Sequence, residues 1–295
     1  MDIIKYKYIF LTFSGVLVLA SIVSIAVFGL KQGIDLAGGT LWQIKIVEKE
    51  IDNQELKGIL QTKVGATDPI VTRETSSNSF LIRVKEISEQ DHQKYLDVLK
   101  QELGQIEELR FESIGSSIGN ELRRRAIWAF ILVLTGISAY VAFAFRKVSY
   151  PVKSWKYGII TLVTLFHDAV IPVGLYAFLG WFRGAEVDTN FIVALLVIIG
   201  FSVHDTIVVF DRIREKLKLA SAAKSDFNTL VNQGVNETIA RSVNTSLTLI
   251  FVLVALYFFG PTALSYFILM ILTGTIVGTY SSIFVASPLL TLWRR

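Results

Sequence analysis

The chain contains no cysteine, which excludes disulfide bonds, thiolate metal sites and cysteine nucleophiles. Only 18% of its 295 residues are charged, whereas a soluble domain carries about 25%. Histidine is also scarce, and the three residues present (His92, His167 and His204) do not have the HExxH spacing of a zinc protease. The sequence therefore predicts neither a metal site nor a cofactor, and we expect neither catalysis nor nucleic-acid binding.

Hydrophobic residues make up 52% of the chain and gather in six long apolar segments. A helix needs about 20 such residues to cross a hydrocarbon core that is roughly 30 Å thick. We place the spans near residues 9–30, 126–145, 157–180, 190–210, 243–260 and 264–290. The sequence thus predicts an α-helical polytopic membrane protein with six transmembrane helices.

Lysine and arginine are distributed unequally between the two sides of these spans. The short loops of one side contain only Arg183, whereas the other side receives Lys5, Lys7, Arg146, Lys147, Lys153, Lys156, Arg212, Arg214, Lys216, Lys218, Lys224, Arg294 and Arg295. Because cytoplasmic loops carry an excess of positive charge, both termini are predicted to lie in the cytoplasm. The first span exceeds the roughly 7–15 apolar residues of a signal peptide, so we favour an uncleaved anchor over cleavage near residues 24–26.

Residues 31–125, between the first two spans, have the pattern of a soluble α+β domain. We predict strands at 41–47, 70–73, 80–84 and 109–114, a helix at 51–64, and a turn at 76–79. Ser88 resembles the N-cap of a second helix that ends at Leu103, before Gly104. The resulting β-α-β-β-α-β order predicts a ferredoxin-like fold. We expect His92 to be a surface residue of the second helix.

The chain is thereby divided into three parts. Residues 1–30 hold the cytoplasmic N-terminus and the first transmembrane helix, and residues 31–125 form the external ferredoxin-like domain. Residues 126–295 contain transmembrane helices 2–6 and the cytoplasmic C-terminus.

A glycine-rich segment, Gly33-Ile-Asp-Leu-Ala-Gly-Gly-Thr40, precedes the external domain. A phosphate-binding loop needs a following Gly-Lys-Ser/Thr, which is missing. We therefore interpret the segment as a turn in which Gly38 and Gly39 adopt conformations that other residues resist.

Ionisable residues occur inside the predicted spans, where each costs about 2.5–3.5 kcal/mol on insertion scales. The polar residues at these depths are His167 and Asp168 in the third span, His204 and Asp205 in the fourth, and Arg241 and Asn244 in the fifth. Asp205 and Arg241 are predicted in the same inner third of the bilayer, where an ion pair makes both charges tolerable. The alternatives are a purely structural salt bridge and, for His167 and Asp168, a hydrogen-bonded packing cluster.

The last span combines small and hydroxylated residues. Gly274 and Gly278 form a GxxxG pattern, which lets two helices approach closely. We expect this face to pack against a second helical half. The neighbouring hydroxyls, Ser281 and Ser282 among them, are interpreted as part of that packing face, although hydroxyls near a carboxylate can also carry ions or water.

The ordered set of motifs resembles the SecF family of protein-export membrane proteins, over essentially the whole chain. The matching segments are 33–40, 113–123, 167–168, 200–215, 236–246 and 278–288. The resemblance implies a subunit that uses the proton gradient, or sodium in some bacteria, to help draw secreted chains outward. It also implies that Asp205 and Arg241 take part in ion coupling. The chain departs from the family at His204, where the family commonly has Asn.

The resemblance further implies a location in the bacterial cytoplasmic (inner) membrane, surrounded by lipid. The implied partners are a SecD-like subunit, the SecYEG translocon with its translocating preprotein, and YidC- or YajC-type accessory proteins. Two other functions fit the sequence less well. A small-molecule exporter of the resistance–nodulation–division type normally carries two six-span halves, and a passive scaffold has no use for the intramembrane Asp205.

Overall fold

The structure, a computed structural model, describes residues 2–74, 78–146, 152–219 and 226–293. The predicted features at Ser76, Ser77, Lys147, Lys224, Arg294 and Arg295 lie outside these ranges. The chain forms two compact units, one of residues 1–31 with 127–295 and one of residues 32–126. The division falls inside one long helix, α5 (Ser116–Ala144).

Within the described ranges, six helices are long and apolar enough to cross a membrane. They are α1 (Lys7–Phe28), α5, α6 (Ser154–Arg183), α7 (Thr189–Leu219), α8 (Phe227–Phe259) and a composite last span (Thr262–Leu292). The last span consists of a 3₁₀ turn (Thr262–Leu264), α9 (Ser265–Ser281), a π-helical turn (Ser282–Ala286) and α10 (Ser287–Leu292). These helices confirm the six predicted spans.

Burial separates the central from the peripheral helices of this unit. Most of α6 and of the last span is buried, whereas few residues of α1 and α5 are fully buried. The helix α7 packs between α6, α8 and α9. Polar side chains that require protein partners are therefore accommodated where α6, α7 and α9 meet.

The GxxxG pattern of α9 packs inside this unit. A Cβ added to Gly274 would lie 2.3 Å from the Ile198 side chain, and one added to Gly278 would lie 3.1 Å from Ser202 Cβ. Both contacts are with α7 of the same chain. The expectation that this face awaits a second helical half was therefore wrong, because α7 already occupies it.

The unit of residues 32–126 contains a four-stranded antiparallel sheet in the order β2-β3-β1-β4. Its elements are α2 (Ile34–Ala37), β1 (Gly39–Ile46), α3 (Asn53–Thr62), β2 (Ile70–Glu74), β3 (Ser79–Val84), α4 (Glu89–Leu103) and β4 (Ile106–Ile114). The predicted order of strands and helices is confirmed. The last strand begins three residues earlier than predicted, because Ile106 pairs with Ile46.

The side chain of His92 lies in the core of this unit. It is 3% exposed, its ring stacks on Phe111 at 3.6 Å, and its Nε2 lies 2.6 Å from Glu108 Oε2. Trp42 Nε1 donates to the same carboxylate oxygen at 2.8 Å. The prediction of a surface residue was wrong, because His92 shares the inward face of α4 with the buried Leu96 and Leu99.

The predicted cap of α4 is confirmed. Ser88 Oγ accepts a hydrogen bond from the Asp91 backbone N–H at 3.2 Å and donates to the Asp91 carboxylate at 2.8 Å. The second bond lowers the pKa of Asp91 below its ordinary value. Gly104 ends the helix with a φ of 80°.

The glycine pair forms a tight turn, as predicted. Gly38 and Gly39 have φ values of 77° and 122°, in the region that favours glycine. A Cβ on Gly38 would lie 2.6 Å from Ser116 Cα, and one on Gly119 would lie 2.8 Å from the Gly38 nitrogen. The turn therefore packs directly on the first turn of α5, which explains why the chain has glycines in both segments.

Gly38→Ala is expected to destabilise this unit locally, because the new Cβ combines a strained backbone conformation with a backbone clash. The strain alone costs about 1–3 kcal/mol. Amide hydrogen exchange of β1 and β4 in the intact protein measures the effect. Gly65→Ala is the control, since its φ is also positive (75°) but its Cβ would meet open space. Equal effects of the two variants would contradict the role assigned to the clash.

Candidate functional site

A buried carboxylate, Asp168, lies at the junction of α6, α7 and α9. Its side chain is 0% exposed and has a donor from each helix. Ser202 Oγ of α7 donates to Oδ2, Ser281 Oγ of α9 donates to the same oxygen at 2.6 Å, and His167 Nδ1 lies 2.7 Å from Oδ1. Three donors compensate the carboxylate for its lost hydration, which makes this burial tolerable.

The neighbouring His167 has one ring nitrogen engaged and one free. Its Nδ1 faces Asp168, whereas its Nε2 is buried without a hydrogen-bond partner among the described residues. A carboxylate fixes the proton of the ring on Nδ1. The opposite nitrogen can therefore accept a proton from a water or an acidic group that reaches it.

A second buried carboxylate, Asp205, lies on α7. It is 6% exposed, and Ser282 Oγ donates to its Oδ2 at 2.5 Å. Two consecutive serines of the last span thus serve two carboxylates on different helices. Consecutive residues of a helix diverge by about 100°, so Ser281 reaches α6 while Ser282 reaches α7.

The same stretch of α9 also contacts α8. Thr279 Oγ1 lies 2.5 Å from Ser246 Oγ, and one of these hydroxyls donates to the other. Tyr280 Oη donates to the Phe10 carbonyl of α1 at 3.2 Å. Residues 279–282, which we call the hydroxyl segment, therefore make polar contacts with four helices. The π-helical turn begins within it, six residues before Pro288. Proline has no N–H for the regular helical bond, and a widened turn is a common local response.

The structure does not bring all of the sequence-predicted residues together. Asp168, His167 and Asp205 are buried, whereas His204, Arg241 and Asn244 are exposed. Within the part of the chain that is described, no hydrogen bond or ion pair joins Asp205 to Arg241. The predicted ion pair is therefore not formed in this structure.

The reason lies in the rotation of α7 and α8 about their axes. On α8, the buried Ser242 and Ser246 face the protein interior, and Arg241 precedes Ser242 by one residue, which turns it outward. On α7, Asp205 points into the protein interior, and the preceding residue, His204, therefore points outward. Matching depth along two helices does not ensure that two side chains share a face.

Comparison with known proteins agrees with this architecture. Residues 94–295 match the family "Protein export membrane protein SecD/SecF, C-terminal", and residues 23–45 match the "SecD/SecF GG Motif". The protein translocase subunit SecF of Thermobaculum terrenum is 42% identical over 306 residues, covering 100% of this chain and 94% of that protein. The SecF of Synechocystis is 33% identical over 310 residues, with 100% and 95% covered.

The chain belongs to the SecD/SecF family of protein-export membrane proteins. Like its SecF relatives, it is a multi-pass membrane protein. The match to the GG motif includes Gly38 and Gly39, the pair in the turn against α5.

Solved structures of this family extend the comparison. The crystal structure of SecDF, a translocon-associated membrane protein from Thermus thermophilus, matches with a TM-score of 0.83 at 32% identity. The alignment covers 99% of this chain and 38% of that longer chain. The super-membrane-facing form of SecDF matches with a TM-score of 0.69.

Sequence reasoning underestimated three serines of this SecD/SecF-family chain. Ser281 and Ser282 were assigned to packing, and Ser202 was not singled out, yet all three donate to buried carboxylates. Ser202 lies three residues before Asp205 on the same face of α7, although its hydroxyl donates to Asp168 of α6. No local signal links Ser202 to Asp168, because that contact depends on how α6 and α7 pack.

The site is suited to exchanging protons. It holds two carboxyl groups and an imidazole, which are the side-chain types that take up and release protons, together with hydroxyls that both donate and accept. Within residues 2–74, 78–146, 152–219 and 226–293, no group of three or more His, Asp or Glu side chains could hold a metal ion.

Ser202→Ala is expected to destabilise the helical unit, because it removes one donor from a buried carboxylate. Hydrogen bonds to charged groups contribute about 1.5–3 kcal/mol. Thermal unfolding of the protein in lipid nanodiscs measures the change. Thr275→Val is the control, since within the described ranges the Thr275 hydroxyl bonds only to the Ile271 carbonyl of its own helix. If both variants unfolded at the same temperature, the contact of Ser202 with Asp168 would be energetically unimportant.

Proposed function

We propose that the protein is a SecF-type accessory subunit of the Sec translocon, which uses an ion gradient, preferentially of protons, to promote protein export across the bacterial cytoplasmic membrane. The observation that carries this proposal is the pair of buried carboxylates, Asp168 and Asp205, held by serines of another helix. Family membership supports the transport role, since the relatives are translocase subunits.

The distribution of charge supports an orientation for this subunit. Lys153 and Lys156 lie at the start of α6, and Arg212, Arg214 and Lys216 lie near the end of α7. Because positive residues collect on the cytoplasmic side, these helix ends and both termini are cytoplasmic. The ferredoxin-like unit of residues 32–126 is then external, where it offers a contact surface to the translocating chain or to a partner's domain.

Asp205 is the proposed coupling residue. When the Asp205 carboxylate is ionised, it is stabilised in the present arrangement by the hydrogen bond from Ser282. In a second arrangement of the helices, the charge of Arg241 stabilises it. Both interactions weaken when Asp205 is protonated. Moving one charge through the membrane potential is worth about 2.3 kcal/mol per 100 mV, which biases a two-state equilibrium roughly fiftyfold. The existence of SecDF structures in different forms supports two arrangements in this family.

The exposed polar residues support a partner in the membrane. His204, Arg241 and Asn244 face outward from a unit that lies in lipid, where uncovered charge costs several kcal/mol. A SecD-like subunit that supplies a second helical half is the proposed occupant of this face. SecYEG and the preprotein, and YidC- or YajC-type proteins, complete the proposed assembly, with lipid around it.

Asp205→Asn is expected to abolish stimulation of export by an imposed proton gradient while the complex still assembles, because the amide has the shape of the carboxyl group but does not titrate. Arg241→Ala is expected to lose the stimulation as well. The measurement is preprotein translocation into sealed membrane vesicles, with and without the gradient. Asp211→Asn serves as the control, since this exposed residue of the same helix pairs, among the described residues, only with Arg214 at 3.4 Å.

Normal gradient-dependent stimulation in Asp205→Asn would refute the coupling role. In that case the bond between Asp205 and Ser282 would serve only to fix the two helices, and the passive-scaffold function would be favoured.

A further inference from the structure

Ser281 and Ser282 each have two acceptors within reach of a single hydroxyl hydrogen. Ser281 Oγ lies 2.6 Å from Asp168 Oδ2 and 3.1 Å from the Gly278 carbonyl. Ser282 Oγ lies 2.5 Å from Asp205 Oδ2 and 3.0 Å from the Thr279 carbonyl. A serine has one O–H, so each hydroxyl must choose between a carboxylate on another helix and a carbonyl of its own helix.

The choice depends on the charge of the carboxyl group. A hydrogen bond to an ionised acceptor is shorter and roughly twice as strong as one between neutral groups. An ionised Asp168 therefore holds the Ser281 hydroxyl and ties α9 to α6. A protonated Asp168 is itself a donor, and the Ser281 hydroxyl can then return to Gly278. The same alternatives apply to Asp205 and Ser282.

The two choices are made on adjacent residues of one backbone. The π-helical turn starts at Ser282, directly after Ser281, and the Ser287 hydroxyl donates to the Ser282 carbonyl at 3.3 Å. A π-helical turn is a local irregularity that is common at functional sites. Because the two serines are adjacent, a bond that holds Ser281 against α6 also fixes the backbone position from which Ser282 contacts α7.

We propose that Ser281 and Ser282 make Asp168 and Asp205 gain and lose protons as a cooperative pair. Ionisation of Asp168 positions α9 so that Ser282 meets Asp205, which favours ionisation of Asp205 in turn. Protonation of either carboxyl group releases its serine and loosens the other contact. The proposal rests on the ion coupling proposed above, and it assigns both serines as positioning residues.

Direct repulsion between the carboxylates would act in the opposite direction. An ionised Asp168 makes a nearby Asp205 harder to ionise through space, because like charges disfavour each other. At or near this depth, the other titratable side chains on the packed spans are His167 on α6, His204 on α7, Arg241 on α8 and Tyr280 on α9. Nearer the cytoplasmic ends lie Lys7 and Tyr8 of α1, Tyr157 of α6, Asp211, Arg212 and Arg214 of α7, and Glu237 of α8.

Infrared spectroscopy of the intact complex in lipid bilayers, titrated with pH, tests the proposal. The carboxyl band of Asp205 is identified by its loss in Asp205→Asn. Asp168→Asn is expected to raise the pH midpoint of this band by about 0.5–1 unit, roughly a three- to tenfold gain in proton affinity, because a neutral amide holds Ser281 less strongly than a carboxylate. In the Ser281→Ala/Ser282→Ala background, the same change is expected to give no upward shift.

Ser282→Ala alone provides the same test with a single substitution. Because cooperation requires both hydroxyls, Asp168→Asn is expected to give no upward shift in this background either. Thr275→Val is the matched control on α9, and it should leave the upward shift intact. A downward shift in Asp168→Asn, or an upward shift that survives loss of the serines, would overturn the proposal. A band for Asp205 that does not titrate at all would instead contradict the ion coupling on which the proposal rests, so the two failures are distinguishable.

Discussion

The helical unit depends on one constraint, which is that a carboxylate inside a membrane needs hydrogen-bond donors from its own protein. Asp168 and Asp205 receive these donors from the hydroxyl segment of the last span and from Ser202. Because the donors lie on different helices from the acceptors, each bond also fixes the packing of two spans. The close approach of α9 to α7 at Gly278 follows from the same requirement, since a larger residue there would push Ser202 away.

The polar residues of the spans fall into two groups with different consequences. The buried side chains of Asp168, His167 and Asp205 have hydrogen-bond partners within the chain, except for Nε2 of His167, which has none among the described residues. The exposed side chains of His204, Arg241 and Asn244 make no hydrogen bond or ion pair with the residues that the structure describes, and in lipid they require cover. Under the function proposed above, a neighbouring subunit supplies this cover.

Much of the fold could be predicted from the sequence because the signals are local. Apolar runs specify the six spans, and the Ser88 cap and the Gly38–Gly39 turn follow from single residues. The exposure of Arg241 could not be predicted, because it depends on how α8 is rotated against neighbours that are distant in sequence. The inward position of His92, by contrast, follows from its helical spacing to Leu96 and Leu99, a local signal that the prediction of a surface residue overlooked. The GxxxG pattern of α9 predicts a close contact with another helix, but the sequence does not indicate that this helix is α7 of the same chain.

The most direct test of the central claim is proton flux during export, recorded with a pH-sensitive dye enclosed in vesicles that contain the translocon and the SecD–SecF complex. We expect preprotein translocation to be accompanied by proton movement down the gradient, and we expect Asp205→Asn to abolish this movement while Asp211→Asn does not. Proton movement of normal size in Asp205→Asn would contradict the claim that the buried carboxylate couples the gradient to export.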